Sequence, residues 1–236
     1  MSRASGLRGG IIAAGDGRRL REAGWTVPKP LVPVAGTPLI ESVIRNFIAA
    51  GVRSLVVIVN ERERDCADWV WRRFPDLDID VIVKTTRSSL ESFREVSSRL
   101  GAGPALVSTV DAWCRPDDFA RFVAAARRHP VTASVLAVTP FVDDEHPLWV
   151  HLDDTGRVQR IGGADGDVVT AGIYLLSERA RRRPAPSYLP RLRDYLAWLV
   201  EQGEPLYGEV IDTVVDVDRP ADIALAEAMA VAWRSS

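Results

Sequence analysis

An apolar run too short for a helix, Ile11-Ile12-Ala13-Ala14, passes without a polar break into Gly15-Asp16-Gly17-Arg18-Arg19. A buried strand that ends in glycines and then arginines makes an anion cradle at the strand's end. Glycines allow close backbone approach, because no Cβ intervenes and unusual dihedrals cost little. Arg19 adds a forked set of donors suited to tetrahedral oxyanions. Further on, Lys29 stands between Pro28 and Pro30, whose rings restrict the backbone and present its ammonium from a stiff segment. Asp16 puts a carboxylate into a loop meant for anions. It is expected to point outward; facing inward, it would need a metal beside it.

The rest of the first half repeats one grammar. Thr37-Pro38 reads as an N-cap followed by proline at the first helical position, and Leu39, Ile40, Val43, Ile44, Phe47 and Ile48 then share one face up to Gly51. Ser54 to Asn60 is a strand, about Arg64 to Phe74 a helix stopped by Pro75, and Ile79 to Val83 the next strand. Lys84 to Leu90 is a polar loop in which Ser88 or Ser89 either caps the following helix or contacts a ligand. Ala105 to Val110 forms another strand and delivers Asp111 at its carboxyl end, where open parallel sheets bind ligands. A helix over Asp117 to Arg128 and a strand over Thr132 to Val138 follow. Near-continuous apolar strands alternating with amphipathic helices predict a three-layer α/β/α fold, with a Rossmann-like, mostly parallel sheet.

Beyond Thr139 the pattern changes. Asp143 to Pro147 is an acidic loop, Leu148 to Leu152 and Arg157 to Ile161 form a hairpin about Asp153 to Gly156, and Gly162 to Asp167 links to a strand over Val168 to Leu176. These small antiparallel insertions are expected within one domain over 1–236, with a first half at about 9–138 and a second at about 139–236. A basic, proline-containing linker is expected from Arg179 to Pro190, a helix from Leu189 to Gln202, a strand or pair of strands from Leu206 to Val217, and a helix opened by Pro220. His146 and His151 are too irregularly placed to form a metal cluster with Asp143 or Asp144, and solvated loops are expected there.

The series Ala13-Ala14-Gly15-Asp16-Gly17-Arg18-Arg19-Leu20, then Pro28-Lys29-Pro30-Leu31, then Gly36 with Pro38-Leu39-Ile40, resembles the N-terminal signature of the nucleotidyltransferases that make nucleoside-diphosphate sugars and related activated alcohols. Arg18 departs from it, since small residues or Thr are usual there. The resemblance implies transfer of a nucleotidyl group from a nucleoside triphosphate to a phosphorylated sugar, polyol or small alcohol, with Mg2+ as cofactor and release of pyrophosphate. It implies nucleotide binding by Ala13 to Arg19 and by Lys84, Thr85 and Ser88, with Lys29 and Arg19 acting on the phosphates. Asp111 matches the family's magnesium-binding aspartate, and Asp218, with Asp216 as alternate, is the second carboxylate. Thr170-Ala171-Gly172 looks like the strand that lines the acceptor. The Glu-Lys-Pro element of many sugar-phosphate members is absent, and Arg157, Arg160 or His151 could hold the acceptor's anion instead. That absence, with the Lys84 to Leu90 loop, leans toward cytidylyltransferases acting on small phosphorylated alcohols. Molybdenum-cofactor nucleotidyltransferases share parts of the same signature.

Composition sets the outer bounds. A chain of 236 residues that is 47% hydrophobic supports one large α/β domain. A net charge of -2 gives no reason to expect a nucleic-acid partner. Only two cysteines, Cys66 and Cys114, are present, which suits a reducing cytoplasm better than a disulfide scaffold. No apolar run reaches membrane-spanning length, so a cytoplasmic monomer or homodimer without a membrane partner is expected. Three other readings compete. Asp216-Val217-Asp218 could be the metal-binding DxD of a glycosyltransferase of GT-A type, but the glycine, arginine and lysine signature would then be unexplained. A dinucleotide oxidoreductase lacks its full glycine spacing. A nucleotide-binding regulator without catalysis would keep triphosphate binding and lose pyrophosphate release.

Overall fold

The computed structural model describes residues 6–143 and 147–234. The chain begins with β1 (Arg8–Ala13), turns through the short α1 (Arg18–Glu22), and reaches α2 (Leu39–Ala49) after a ribbon of β2 (Pro33–Val34) and β3 (Thr37–Pro38). Strand and helix then alternate through β4 (Ser54–Val59), α3 (Arg64–Arg73), β5 (Asp78–Val83), α4 (Ser89–Arg99) and β6 (Ala105–Thr109). The two-residue β7 (Ala112–Trp113) precedes α5 (Pro116–Ala126) and β8 (Ser134–Thr139). The hairpin of β9 (Trp149–Leu152) and β10 (Val158–Ile161) leads into the long β11 (Val168–Leu176). The remainder holds α6 (Glu178–Arg182), α7 (Leu192–Glu201), β12 (Leu206–Val210), β13 (Val215–Asp216) and α8 (Pro220–Arg234).

Among the described residues, nine strands form one sheet in the order β10-β9-β11-β6-β1-β4-β5, with β8 pairing both β11 and β12. The block β6-β1-β4-β5 is parallel, as is β12 on β8. Within this sheet, antiparallel pairing between the named strands is confined to β11, with β6, β8 and β9 as its partners, and to the β9-β10 hairpin. The hairpin therefore extends the main sheet through β11 and forms no separate layer.

The two-faced burial expected of a parallel sheet is visible residue by residue. Ile11 and Ala13 of β1 join Leu55, Val57 and Val59 of β4 in a core that α2, α3, α5 and α8 cover. Ile12, Ala14, Val56 and Ile58 point the other way, into a core closed by α4, α6 and α7. On the first face, Phe47 of α2 meets Phe119 of α5 with ring centroids 5.3 Å apart. Both are fully buried side chains, and truncating either to Ala costs about 3–5 kcal/mol. This is the three-layer α/β/α arrangement, with a mixed, mostly parallel, Rossmann-like sheet.

Two local expectations change. Thr37 does not cap α2: Thr37-Pro38 pairs with Pro33-Val34, and the helix opens without a side-chain cap, Leu39 N donating to Val32 O at 3.0 Å. The basic stretch from Arg179 is partly helical, because Ser177 caps α6 by accepting from Ala180 N at 3.1 Å. Arg181 is buried and donates to the carbonyls of Ser97, Gly101 and Gly103, so its charge is spent on closing a loop. Residues 144–146 of the expected acidic loop, His146 among them, lie outside the described residues. Among those described, no helix is long and apolar enough to cross a membrane.

Candidate active site

Three carboxylates gather beyond the carboxyl ends of the parallel strands. Asp111 leaves the end of β6, and the segment carrying Asp216 and Asp218 is zipped to it by the β7-β13 ribbon, with Asp216 opposite Ala112. Val217 N donates to Asp111 O at 3.1 Å, which fixes the two segments backbone to backbone. One ligand atom from each of Asp111, Asp216 and Asp218 lies within 4.8 Å of the others. Asp222, buried at the start of α8, accepts from Asp218 N at 2.9 Å and from Arg219 N at 2.6 Å, holding the Asp218 turn in place.

A cation already sits among these oxygens. Lys29 Nζ donates to Asp111 Oδ2 at 2.7 Å and also bonds Asp218, and its side chain is only 7% exposed. Burial alone would pull its pKa down, but Asp111, Asp218 and Asp216 outweigh that and hold the ammonium above the ordinary lysine range. Burial likewise pushes Asp111 upward, and the Lys29 charge and hydrogen bond reverse it, leaving that carboxylate below its usual value. Arg19 Nη1 donates to Asp218 Oδ2 at 3.0 Å, so the glycine loop is latched to the same cluster. Hard carboxylate oxygens converging on one point, with an ammonium standing in for a cation, form a donor set that can hold a divalent metal.

Gly17 explains part of this placement. It adopts φ +56°, and a Cβ there would lie 2.9 Å from Lys29 Cβ. Glycine therefore satisfies both a left-handed turn and the packing of the catalytic candidate.

Two cavities meet at Asp111. The first is lined by Ala13, Ala14, Gly15, Asp16, Lys29, Thr85 and Ser88, with Asn60, Arg62 and Thr86. The second is lined by Thr170, Ala171, Gly172, Asp216 and Asp218, with Tyr174 and Arg193. Asp111, Thr109 and Ser89 line both. Asp16 is half exposed and pairs with Arg21 at 3.4 Å, so it borders the first cavity from the solvent side. Ser88 does two things: it lines that cavity and caps α4, accepting from Glu91 N at 3.2 Å.

Other expected residues stand apart from these walls. Gly17 packs on Lys29, and Arg18 faces solvent with Glu22 at 3.7 Å. Lys84 turns to Glu95 at 2.6 Å. Arg160 pairs with Asp165 at 2.9 Å beside His151 and lines neither cavity. Asn60 is a wall residue that the sequence reading passed over: it donates to Ala14 O at 3.2 Å and accepts from Thr85 Oγ1 at 3.1 Å, tying two loops together. Its position at the end of β4 is the signal that singled out Asp111 at the end of β6.

Fold and site together define an α/β protein that handles phosphates, with an acidic centre competent for a metal at the carboxyl edge of its sheet. Residues 9–179 match the MobA-like NTP transferase domain, and the chain belongs to that family. It is 30% identical over 252 residues to the bifunctional IPC transferase and DIPP synthase of Rubrobacter xylanophilus, covering 98% of this chain and 53% of that protein. The chain thus spans about half of that relative's length. It is 31% identical over 175 residues to the 2-aminoethylphosphonate cytidylyltransferase of Lancefieldella rimae, covering 73% of this chain and 68% of the relative. The fold superposes on the inositol-1-phosphate CTP transferase of T. maritima with a TM-score of 0.81 at 20% identity, covering 94% of each chain.

Proposed function

We propose that this protein is a magnesium-dependent nucleotidyltransferase that joins the nucleotidyl group of CTP to a small phosphorylated alcohol or polyol and releases pyrophosphate. The observation that carries the reading is the position of Asp111 and Lys29 at the junction of two cavities. A transfer between two bound anions needs such a shared wall. The choice of CTP and of a small phosphorylated or phosphonate acceptor follows the similarity to the 2-aminoethylphosphonate cytidylyltransferase of Lancefieldella rimae and the inositol-1-phosphate CTP transferase of T. maritima.

In this reading the half at about 9–138 takes the triphosphate and the half at about 139–236 the acceptor. Backbone N–H groups of Ala14 to Gly17 receive the departing phosphates, with Arg19 as an added donor once it leaves Asp218. Lys29 turns from the carboxylates to the α-phosphoryl oxygens, where its charge matters most as the transition state forms. Asp111, Asp216 and Asp218 hold the divalent cation, magnesium in our reading, which when bound neutralises phosphoryl charge and orients the reacting oxygens. No general base is assigned, because a phosphate monoester is already anionic near neutral pH. Holding the two substrates in line supplies the remaining advantage.

Incubation with CTP, Mg2+ and a panel of small phosphorylated alcohols, followed by product mass, tests the reading. A product heavier than the acceptor by a cytidylyl group supports it; triphosphate binding without any product would favour a regulator.

A further inference from the structure

The second cavity, of about 270 Å³, is markedly acidic. Asp111, Asp143, Asp216 and Asp218 all line it, and Arg193 is the only lysine, arginine or histidine among its described lining residues. Lys29 meets two of these carboxylates from its own side. Arg193 meets none: among the described residues it makes no hydrogen bond or ion pair. An arginine beside a carboxylate-lined cavity would ordinarily be expected to pair, so one left with all five donors free is held ready for something else.

Its place on the helix points the same way. Arg193 is the second residue of α7, a ten-residue helix, where the positive end of the helix dipole disfavours a cation. Helix stability therefore does not account for it, whereas an anion in the cavity would be favoured by both charges at once. Tyr174, buried on β11, lies within electrostatic range of Arg193, Asp111 and Asp216 alike. Arg193 and the carboxylates thus line one space. The hydroxyls of Ser89, Thr139, Thr170 and Tyr174 border the same space, offering partners to a hydroxylated body.

We propose that Arg193 is the acceptor-binding residue of this cavity, its guanidinium fork taking the tetrahedral oxyanion of a small hydroxylated acceptor. A phosphate monoester and a phosphonate share that chemistry. The proposal rests on the nucleotidyl-transfer reading for the identity of the ligand as acceptor, but the anion site itself stands on the cavity.

The full chain is titrated calorimetrically with inorganic phosphate and, separately, with methylphosphonate, as wild type, Arg193→Gln, Arg193→Lys and Arg160→Gln. CTP binding is measured on the same preparations. Loss of a charge-assisted forked contact weakens both probes by about tenfold or more in Arg193→Gln. Arg193→Lys loses less, since it keeps the charge but not the fork, and CTP affinity is unchanged in both. A wild type that prefers phosphate over methylphosphonate, or the reverse, supports the site and names the source of the oxyanion.

Absence of phosphate binding by the wild type at millimolar concentration overturns the proposal, as does equal binding by Arg193→Gln or a loss confined to Arg160→Gln. Pyrophosphate release separates the two readings. Transfer with an acceptor KM indifferent to Arg193→Gln sinks this assignment alone, and Arg193-dependent phosphate binding without transfer sinks the nucleotidyl-transfer reading alone.

Discussion

Lys29 donates to Asp111 at 2.7 Å although 82 positions of sequence separate them. The ammonium thereby occupies the space among carboxylates where a divalent cation would be held. In the proposed reading lysine and metal compete for the same oxygens, and a bound metal would turn Lys29 away from them, toward the phosphates of a triphosphate in the first cavity. Lys29→Met should therefore bind Mn2+ more tightly than the wild type, by about three- to tenfold, because a competing unit charge is removed at contact distance. Electron paramagnetic resonance of free Mn2+ reads this directly. Weaker binding would show that Lys29 supports the metal site and does not compete for it.

The same variant has a second signature. Its turnover should fall by about a hundredfold to a thousandfold while triphosphate affinity changes only a few-fold, because a contact that strengthens in the transition state lowers kcat more than it weakens binding. Steady-state kinetics beside equilibrium CTP binding decide the matter. Equal losses in both would make Lys29 a binding residue only.

The three carboxylates should not be equal. Asp111 is shared by both cavities and is half-buried, and Asp216 is exposed. Asn at Asp111 should abolish metal-dependent activity, Asn at Asp218 should come close, and Asn at Asp216 should retain the most. Activity against Mg2+ concentration for the three variants measures that order, and full activity of Asp111→Asn at low Mg2+ would remove it from the metal set.

Much of this was legible in the sequence, for identifiable reasons. The run Ile11 to Ala14 has no polar break because both faces of β1 are covered, the glycine turn and Asp111 follow strand ends where position alone signals a site, and Lys29 is marked by the prolines on either side of it. The β7-β13 ribbon was not legible, since two residues on each side carry no pattern, yet it is what carries Asp216 and Asp218 to Asp111. Arg193 was hidden for a related reason: it lies in the polar register of an amphipathic helix whose apolar stripe draws attention, and only the packing of α7 against β10 and α4 brings it to a cavity. Thr37 looked like a cap because Thr-Pro before an apolar run usually is one; the β2-β3 pairing took that residue instead.

Gly172 holds β11 at a break in register between Thr170 and Tyr174. Its φ is +72°, and a Cβ there would lie 2.6 Å from Thr109 Oγ1. Gly172→Ala should lower stability by about 1–3 kcal/mol through left-handed strain and that contact. Denaturant unfolding checks it, and an unchanged midpoint would mean the strand relaxes at no cost.

Away from the site, Glu41 of α2 accepts from Arg45 at 2.8 Å and from Arg73 at 2.7 Å. Burial pushes its pKa up, and the bonds to Arg73 and Arg45 more than reverse that, leaving the carboxyl below the ordinary glutamate range. A carboxylate depressed in the folded state stabilises the protein above its unfolded pKa and loses that contribution as pH falls through the folded one. Glu41→Gln should cost about 1–2 kcal/mol at pH 7, limited by the half-exposed arginines, and the gap should close below pH 4.5. Melting temperatures of both proteins across pH 3 to 7 test this; a gap constant with pH would contradict it.

The central claim is tested most directly by magnesium-dependent pyrophosphate release, measured over a matrix of the common nucleoside triphosphates and small phosphorylated alcohols, polyols and sugars, with Lys29→Met as control. The account predicts release confined to CTP with one class of small acceptor, dependent on Mg2+ and nearly lost in the control. Release with no acceptor preference, release undiminished in Lys29→Met, or no release beside firm CTP binding would contradict it.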